Sequence, residues 1–245
     1  MFIKYGLISD EKFHEKALPY TLLKNVDSEF FTIEDYKEKI KEAHTDKHDK
    51  KVILYTNAAQ DHDSFIQAAK GRSYDVLEMN TVLDNHFMQH LEQKVGDITF
   101  VRVDSDTADN LVQKDEIAAS VLSEKEEETV KTVFEGVIDK TAGGNVVTKA
   151  LSPDDQPIVI TRPEFLRRMK EMQAMQGGGF GNFPDSYNVV VNTNHPLVAE
   201  KLLNGEEADQ KNLAKYLYDL ALLNQNMLKG ADLTKFIKKS LEFVK

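Results

Sequence analysis

Histidines at four-residue spacing are the first places to look for chemistry in this chain. His44 and His48 are four apart, as are His86 and His90. That spacing puts two side chains on one face of a helix, where they can share a metal ion. Neither pair has a glutamate directly after its first histidine, and no third ligand is spaced to close a site. No metal site is expected, and the four are read as solvated or partly packed. There is no cysteine, which removes thiolate ligands, thiol nucleophiles and disulfides. No G-x-S-x-G elbow is present for a hydrolase. Carboxylates are so common that none stands out for acid–base work. Gly177-Gly178-Gly179-Phe180-Gly181 is glycine-rich, yet it follows a predicted helix instead of opening one, and no Lys-Ser/Thr comes after it, so it is read as a surface loop. The turn Asn57-Ala58-Ala59-Gln60 follows a predicted strand but lacks the glycine that lets backbone approach a pyrophosphate. No catalytic residue is assigned, and the chain is read as a non-enzyme.

The remaining chemistry is adhesive. Phe165, Met169, Met172 and Met175 fall at i, i+4, i+7 and i+10 in a segment predicted helical from Pro163 to Met175, with Arg167, Arg168 and Lys170 off that row. Such a face is usually buried, but methionine suits surfaces that must adapt to many partners. The glycine run that ends the helix is a poor cover for it. An exposed, Met-lined, positively rimmed helix is a site for non-native protein. A second adhesive region is the tail. Leu213, Leu217, Leu220 and Leu223 belong to a pattern that is apolar over more than half its circumference. Leu233, Phe236, Ile237, Leu241 and Val244 form a single clean stripe, with Asp232 as expected N-cap after a Gly230 stop. Two helices with surplus apolar surface point to self-association, most simply as a two-fold dimer.

Positioning these residues takes an α/β scaffold. Helical periods cover Glu11 to Leu23 and, capped by Thr32, Ile33 to Ile40. Strand, helix, strand, helix, strand then follow at 52–56, 63–70, 74–79, 84–94 and 98–103, which is the spacing of a parallel unit. The acidic window 104–128 is read as a mobile boundary that runs into a helix near Ser123. Beyond it come that helix to about Asp139, a turn at Gly143-Gly144, short strands at 146–150 and 157–161, the Met-rich helix, a strand at 187–191 and the helical tail. Two domains are expected, 1–110 and 115–245. The fold class is mixed α/β: a small three-layer αβα subdomain on a parallel sheet, then a mixed domain whose last helices form a dimeric four-helix bundle.

Composition narrows the partners. Of 245 residues, 41% are hydrophobic and 29% charged, the balance of a globular, well-solvated chain. The net charge of −10 argues against nucleic acid, which requires a basic footprint. No apolar run is long enough for a membrane span and no secretory leader is evident, so a cytoplasmic setting without membrane partners is expected.

Several motifs resemble the ninety-kilodalton heat-shock chaperone family in its bacterial form. They are Val191-Asn192-Thr193-Asn194-His195-Pro196-Leu197-Val198, Asp219-Leu220-Ala221-Leu222-Leu223 and Phe236-Ile237-Lys238-Lys239-Ser240-Leu241, with Tyr74-Asp75-Val76-Leu77, Asp84-Asn85-His86-Phe87 and Tyr5-Gly6-Leu7-Ile8 earlier on. The resemblance implies the C-terminal half of such a chaperone, with Met1 a boundary inside a longer chain. It implies that ATP and Mg belong to a preceding N-terminal domain, so no cofactor is expected here. It implies non-native client proteins as partners, held by Phe165, Met169, Met172 and Met175 and by His86 and Phe87. It also implies homodimerisation through the tail helices. The alternative is an architectural dimer scaffold with no client surface of its own.

Overall fold

The computed structural model describes residues 1–114, 118–138, 143–175 and 186–242, and side chains of 170–175 lie outside that description. The chain divides into two compact units, Met1–Asp115 and Glu116–Lys245. Both are mixtures of helix and sheet, the first with a two-stranded antiparallel and a three-stranded parallel sheet, the second with a three-stranded mixed one.

The first unit opens with α1 (Phe2–Ser9) and α2 (Glu11–Ala17), separated by Asp10, whose side chain accepts from the Phe13 amide at 2.9 Å and caps α2. The helix expected to reach Leu23 stops at Ala17. A 3₁₀ turn, Leu18–Tyr20, replaces it around Pro19, which lacks the amide a further α-turn would use. Leu23 sits instead in β1 (Leu23–Lys24), antiparallel to β2 (Phe30–Phe31). Next, α3 (Ile33–His44) starts at Thr32, whose hydroxyl accepts from the Asp35 amide.

The parallel sheet is β3 (Lys51–Thr56), β4 (Val76–Glu78) and β5 (Ile98–Arg102), with α4 (Asp63–Lys70) and α5 (Asp84–Val95) as the two crossovers. Spatial order is β4-β3-β5, so β3 is central. Its residues Val52 to Thr56 are buried, the continuous apolar pattern of a strand covered on both faces. The core around it includes Tyr36, Ile53, Tyr55, Leu77, Leu91 and Phe100. His44, at the end of α3, is fully buried. Its Nε2 accepts the Asp75 amide at 3.0 Å, so Nδ1 carries the proton and donates to the Val52 carbonyl at 2.6 Å. It is a structural clamp rather than a ligand, and burial lowers its pKa below the ordinary histidine value.

The division between the two units falls inside the acidic window 104–128, as read, but the first part of that window is packed where a mobile segment is expected. Asp104 is 1% exposed and forms a two-pronged ion pair with Arg102 at 2.5 and 2.8 Å. Ala108, Leu111 and Val112 are buried, the first two in α6 (Ala108–Leu111). Arg72 reaches Asp109. Over 104–112, acidic composition hid two paired carboxylates, Asp104 and Asp109, and apolar residues that face inward.

In the second unit Ser123 and Glu126 form a reciprocal capping box that starts α7 (Glu124–Glu135). The helix stops at Glu135, short of the expected Asp139, which lies outside the described residues. Gly143 takes φ +82°, and β6 (Gly144–Lys149) follows. A Cβ on Gly144 would lie 3.1–3.2 Å from the Tyr187 ring, so that close approach favours glycine. Next in the chain are β7 (Ile158–Thr161), α8 (Glu164–Met175) and β8 (Tyr187–Asn192). The mixed sheet has order β6-β8-β7, with β8 parallel to β6 and antiparallel to β7. Asn192 is fully buried at the exit of β8. Its Oδ1 accepts the Leu151 and Asn194 amides, and its Nδ2 donates to the Ser152 carbonyl at 2.8 Å. Asn194 ties the same corner to the 119–121 segment, through the Ala119 carbonyl and the Val121 amide. A π-helical turn, Leu197–Leu202, leads to α9 (Glu207–Asn224) and α10 (Gly230–Glu242).

The tail differs from expectation at its joint. Asn226, at φ +53°, takes the left-handed position after α9, a conformation asparagine tolerates. Gly230 opens α10 rather than stopping α9. Asp232 therefore lies within the first turn, paired with Lys235 at 3.3 Å, and is not the N-cap.

Candidate functional site

Helix α8 carries the predicted adhesive row. Pro163 precedes it, and Glu164 sits in the first turn, where its carboxylate suits the positive helix end. Arg168 Nε donates to Glu164 at 2.7 Å and Arg167 pairs with the same carboxylate. This holds the guanidinium groups beside the helix start. Phe165 is 73% exposed, Leu166 is also exposed, and Met169 is half-buried. Met172 and Met175 are helical, but their side chains lie outside the described residues, as does the Gly177–Gly181 loop. An exposed Phe one turn from a partly exposed Met makes an apolar step beside basic side chains.

The tail helices present a second apolar surface. On α9, Ala214, Leu217, Tyr218 and Ala221 turn inward against Phe134, Val189 and Val191. Tyr218 Oη and Tyr187 Oη meet at 2.7 Å in that interior. Leu213 is half-buried, while Leu220 and Leu223 are exposed. On α10, Phe236 is buried and stacks on Tyr216 with ring centroids 5.3 Å apart. Leu233 is half-buried; Ile237 and Leu241 are exposed. Val244 lies outside the described residues. The expected pairing set thus splits in two. Leu217 and Phe236 serve their own unit's packing, and Leu220, Leu223, Ile237 and Leu241 are left facing outward.

In the first unit the two expected client contacts part company. His86 is exposed on α5, but Phe87 is fully buried beside Leu91 and Phe100. Adjacent helical positions point about 100° apart, so both cannot share one outward face. Phe87 is a core residue, and its place on a client surface is corrected accordingly. Its ring also supports α1: Lys4 Nζ lies 5.3 Å from the ring centroid and pairs with Asp84, the first residue of α5.

Periodicity alone missed one apolar surface. Phe2, Ile3 and Tyr5 on α1, with Tyr20 and Leu22 after α2, are exposed. The signal was present: FIKYGLIS has a single charge and no polar face to turn to water. Among the described residues no group of three or more His, Asp or Glu side chains is gathered for a metal ion. Among them, too, no helix is long and apolar enough to cross a membrane.

Comparison with known proteins adds a family. The model of the Hsp90 protein family matches residues 1–245. A chaperone protein HtpG of Bacteroides fragilis strain YCH46 is 31% identical over 312 residues, an alignment covering 100% of this chain and 46% of that protein. The chaperone protein HtpG of Porphyromonas gingivalis strain ATCC 33277 is 38% identical over 211 residues, covering 84% of this chain and 31% of the other. The chain spans about half the length of the curated relatives it matches. The match also corrects the non-enzyme expectation. It runs over the whole chain, so no part stands outside a family for which the resemblance implies ATP hydrolysis.

Proposed function

The chain belongs to the Hsp90 family, whose model covers it from end to end, and on that premise we propose that it holds non-native client protein and pairs with a second copy of itself as part of a molecular chaperone. Its proposed place in the longer relatives is their later half, on the motifs Val191–Val198, Asp219–Leu223 and Phe236–Leu241. The observation that carries the client reading is Phe165: a large aromatic, 73% exposed, on the first turn of a helix with Met169 one turn on and two arginines at its flank. An aromatic so largely left in water at that position adds little packing to its own unit among the described residues, and it offers a partner apolar area worth about 1.5–3 kcal/mol on full burial. His86 is exposed and is the proposed second contact. Self-pairing rests on Leu220, Leu223, Ile237 and Leu241. Two copies would complete each other's α9–α10 surface as a four-helix bundle, and avidity from two client surfaces would compensate for weak single contacts.

The test is suppression of client aggregation by the chain and by a Phe165→Ser, Met169→Ser double variant. The expected result is impaired suppression with a melting temperature within a few degrees of the parent. Unchanged suppression would leave the architectural scaffold as the better reading. A large fall in melting temperature would show that these residues are core.

A further inference from the structure

The sulfur of this chain is all methionine: seven residues, with no cysteine beside them. A hydroperoxide oxidises thiolates and thioethers, and here only the thioether is on offer. The fold sorts the methionines by access. Met79 and Met88 are buried in the core of the first unit. Met227 is half-buried against the core of the second, and Met1 is exposed. Met169 is half-buried on α8, one turn after the exposed Phe165 and close to the exposed Leu166. Side chains four apart on a helix share a face, so a partner segment that covers Phe165 also covers the Met169 thioether. The side chains of Met172 and Met175 lie outside the described residues.

We propose that Met169 is a reversible oxidation site that switches the client surface off: a hydroperoxide converts its thioether to the sulfoxide, and a methionine sulfoxide reductase restores it. The inference rests on the client reading of α8 given above. In the forward step a sulfur lone pair attacks one peroxide oxygen and the O–O bond breaks. That oxygen stays on sulfur, and the other leaves as water or an alcohol. Sulfur is oxidised by two electrons and the peroxide reduced by two. In the return step the oxygen leaves as water and two thiols become one disulfide; those thiols belong to the reductase system, since this chain has none. The consequence for binding is one of solvation. A thioether packs against apolar and aromatic groups. A sulfoxide carries a strong S–O dipole that water solvates and an apolar client segment does not. Burying a polar group without a hydrogen-bond partner at one contact weakens affinity by roughly 5- to 100-fold. Packing shields Met79 and Met88 from the same oxidant, so the surface changes while the core of the first unit does not.

Brief treatment of the whole chain with hydrogen peroxide tests this, with peptide mapping and client-aggregation assays on the same samples. Cleavage after glutamate leaves Met169 as the sole methionine of 165–171 and puts Met79 and Met88 together in 79–92. Met169 should oxidise well ahead of those two. The amount of chain needed for half-suppression of aggregation should rise roughly fivefold or more as 165–171 is oxidised. Reductases for both sulfoxide epimers should reverse the loss. Met169→Leu, measured against its own untreated activity, should lose the response to peroxide, and Met227→Leu should keep it. The switch is overturned if Met169 oxidises no faster than Met79 and Met88, if full oxidation of 165–171 leaves suppression unchanged, or if Met169→Leu responds as the parent does. Those three results leave the client reading standing. An untreated chain that suppresses nothing overturns the client reading, and the switch with it.

Discussion

Replacing Leu241 by Glu should convert a dimer into a monomer without harming the fold. In the single chain Leu241 is 60% exposed, Ile237 50%, Leu220 43% and Leu223 37%. Together they expose about two large side chains' worth of apolar surface per copy. Full burial of one such side chain is worth about 1.5–3 kcal/mol. Covering this surface on both copies is therefore worth on the order of 6–12 kcal/mol. Association costs about 4–15 kcal/mol in lost freedom. The margin is narrow, so losing one contact per copy decides the outcome. A two-fold interface meets the substitution twice. Each copy loses about 1–2 kcal/mol of leucine burial and takes a carboxylate out of water at a cost of several kcal/mol. The sum passes about 5 kcal/mol, and at about 1.4 kcal/mol per tenfold the dissociation constant rises more than about a thousandfold. Because Leu241 is mostly exposed within its own chain, the monomer's stability should change by no more than about 0.5 kcal/mol. Sedimentation velocity over a wide concentration series, with melting curves alongside, reads both quantities. Either a parent chain that stays monomeric at the highest concentration, or a Leu241→Glu variant that pairs with the parent's affinity, would refute the reasoning. Phe236→Glu is no substitute, since it would also unseat α10 from Tyr216.

Two further outcomes follow from the interior. His44, His90 and His195 all have lowered pKa values, with burial the largest cause in each. The unfolded chain therefore binds more protons than the native one below about pH 6.5, and stability present above that value is lost as pH falls through it; urea midpoints at neutral and mildly acidic pH should show the decline, and a flat profile would contradict it. Asn192→Ala orphans the Leu151 and Asn194 amides and the Ser152 carbonyl at once. It should cost at least about 1–3 kcal/mol, visible as a melting transition lowered by about 2–4 °C for each kcal/mol.

What the sequence made legible was local. The β3 run, α4 from Asp63 to Lys70, the Thr32 cap and the Ser123 start are each determined by residues within a few positions of one another, and the structure places them as read. What it hid depended on burial and on packing between elements. Asp104 looked like part of a solvated acidic stretch because its counter-charge, Arg102, is itself buried only through the sheet. The His14–His90 contact joins residues 76 apart in sequence, and no periodicity marks it. Phe87 was placed on a surface because its neighbour His86 was, and one step along a helix turns a side chain away from that face. The outward part of the tail stripe, Ile237 and Leu241, was legible as a stripe, but which of its members the chain would keep for itself was not. Tyr216 supplied that answer by stacking on Phe236.

The central place of β3 has a consequence for how this protein is born. On a ribosome β3 is finished at Thr56, one flanking strand follows at Val76, and the other does not begin until Ile98. At about 5–20 residues per second, those roughly forty intervening residues take on the order of 2–8 s to emerge. During that interval the stickiest ribbon of the first unit has an open flank. The nascent chain therefore passes through a stage resembling the substrates it is proposed to rescue, and slower translation between codons 57 and 97 should lengthen its exposure to misassembly.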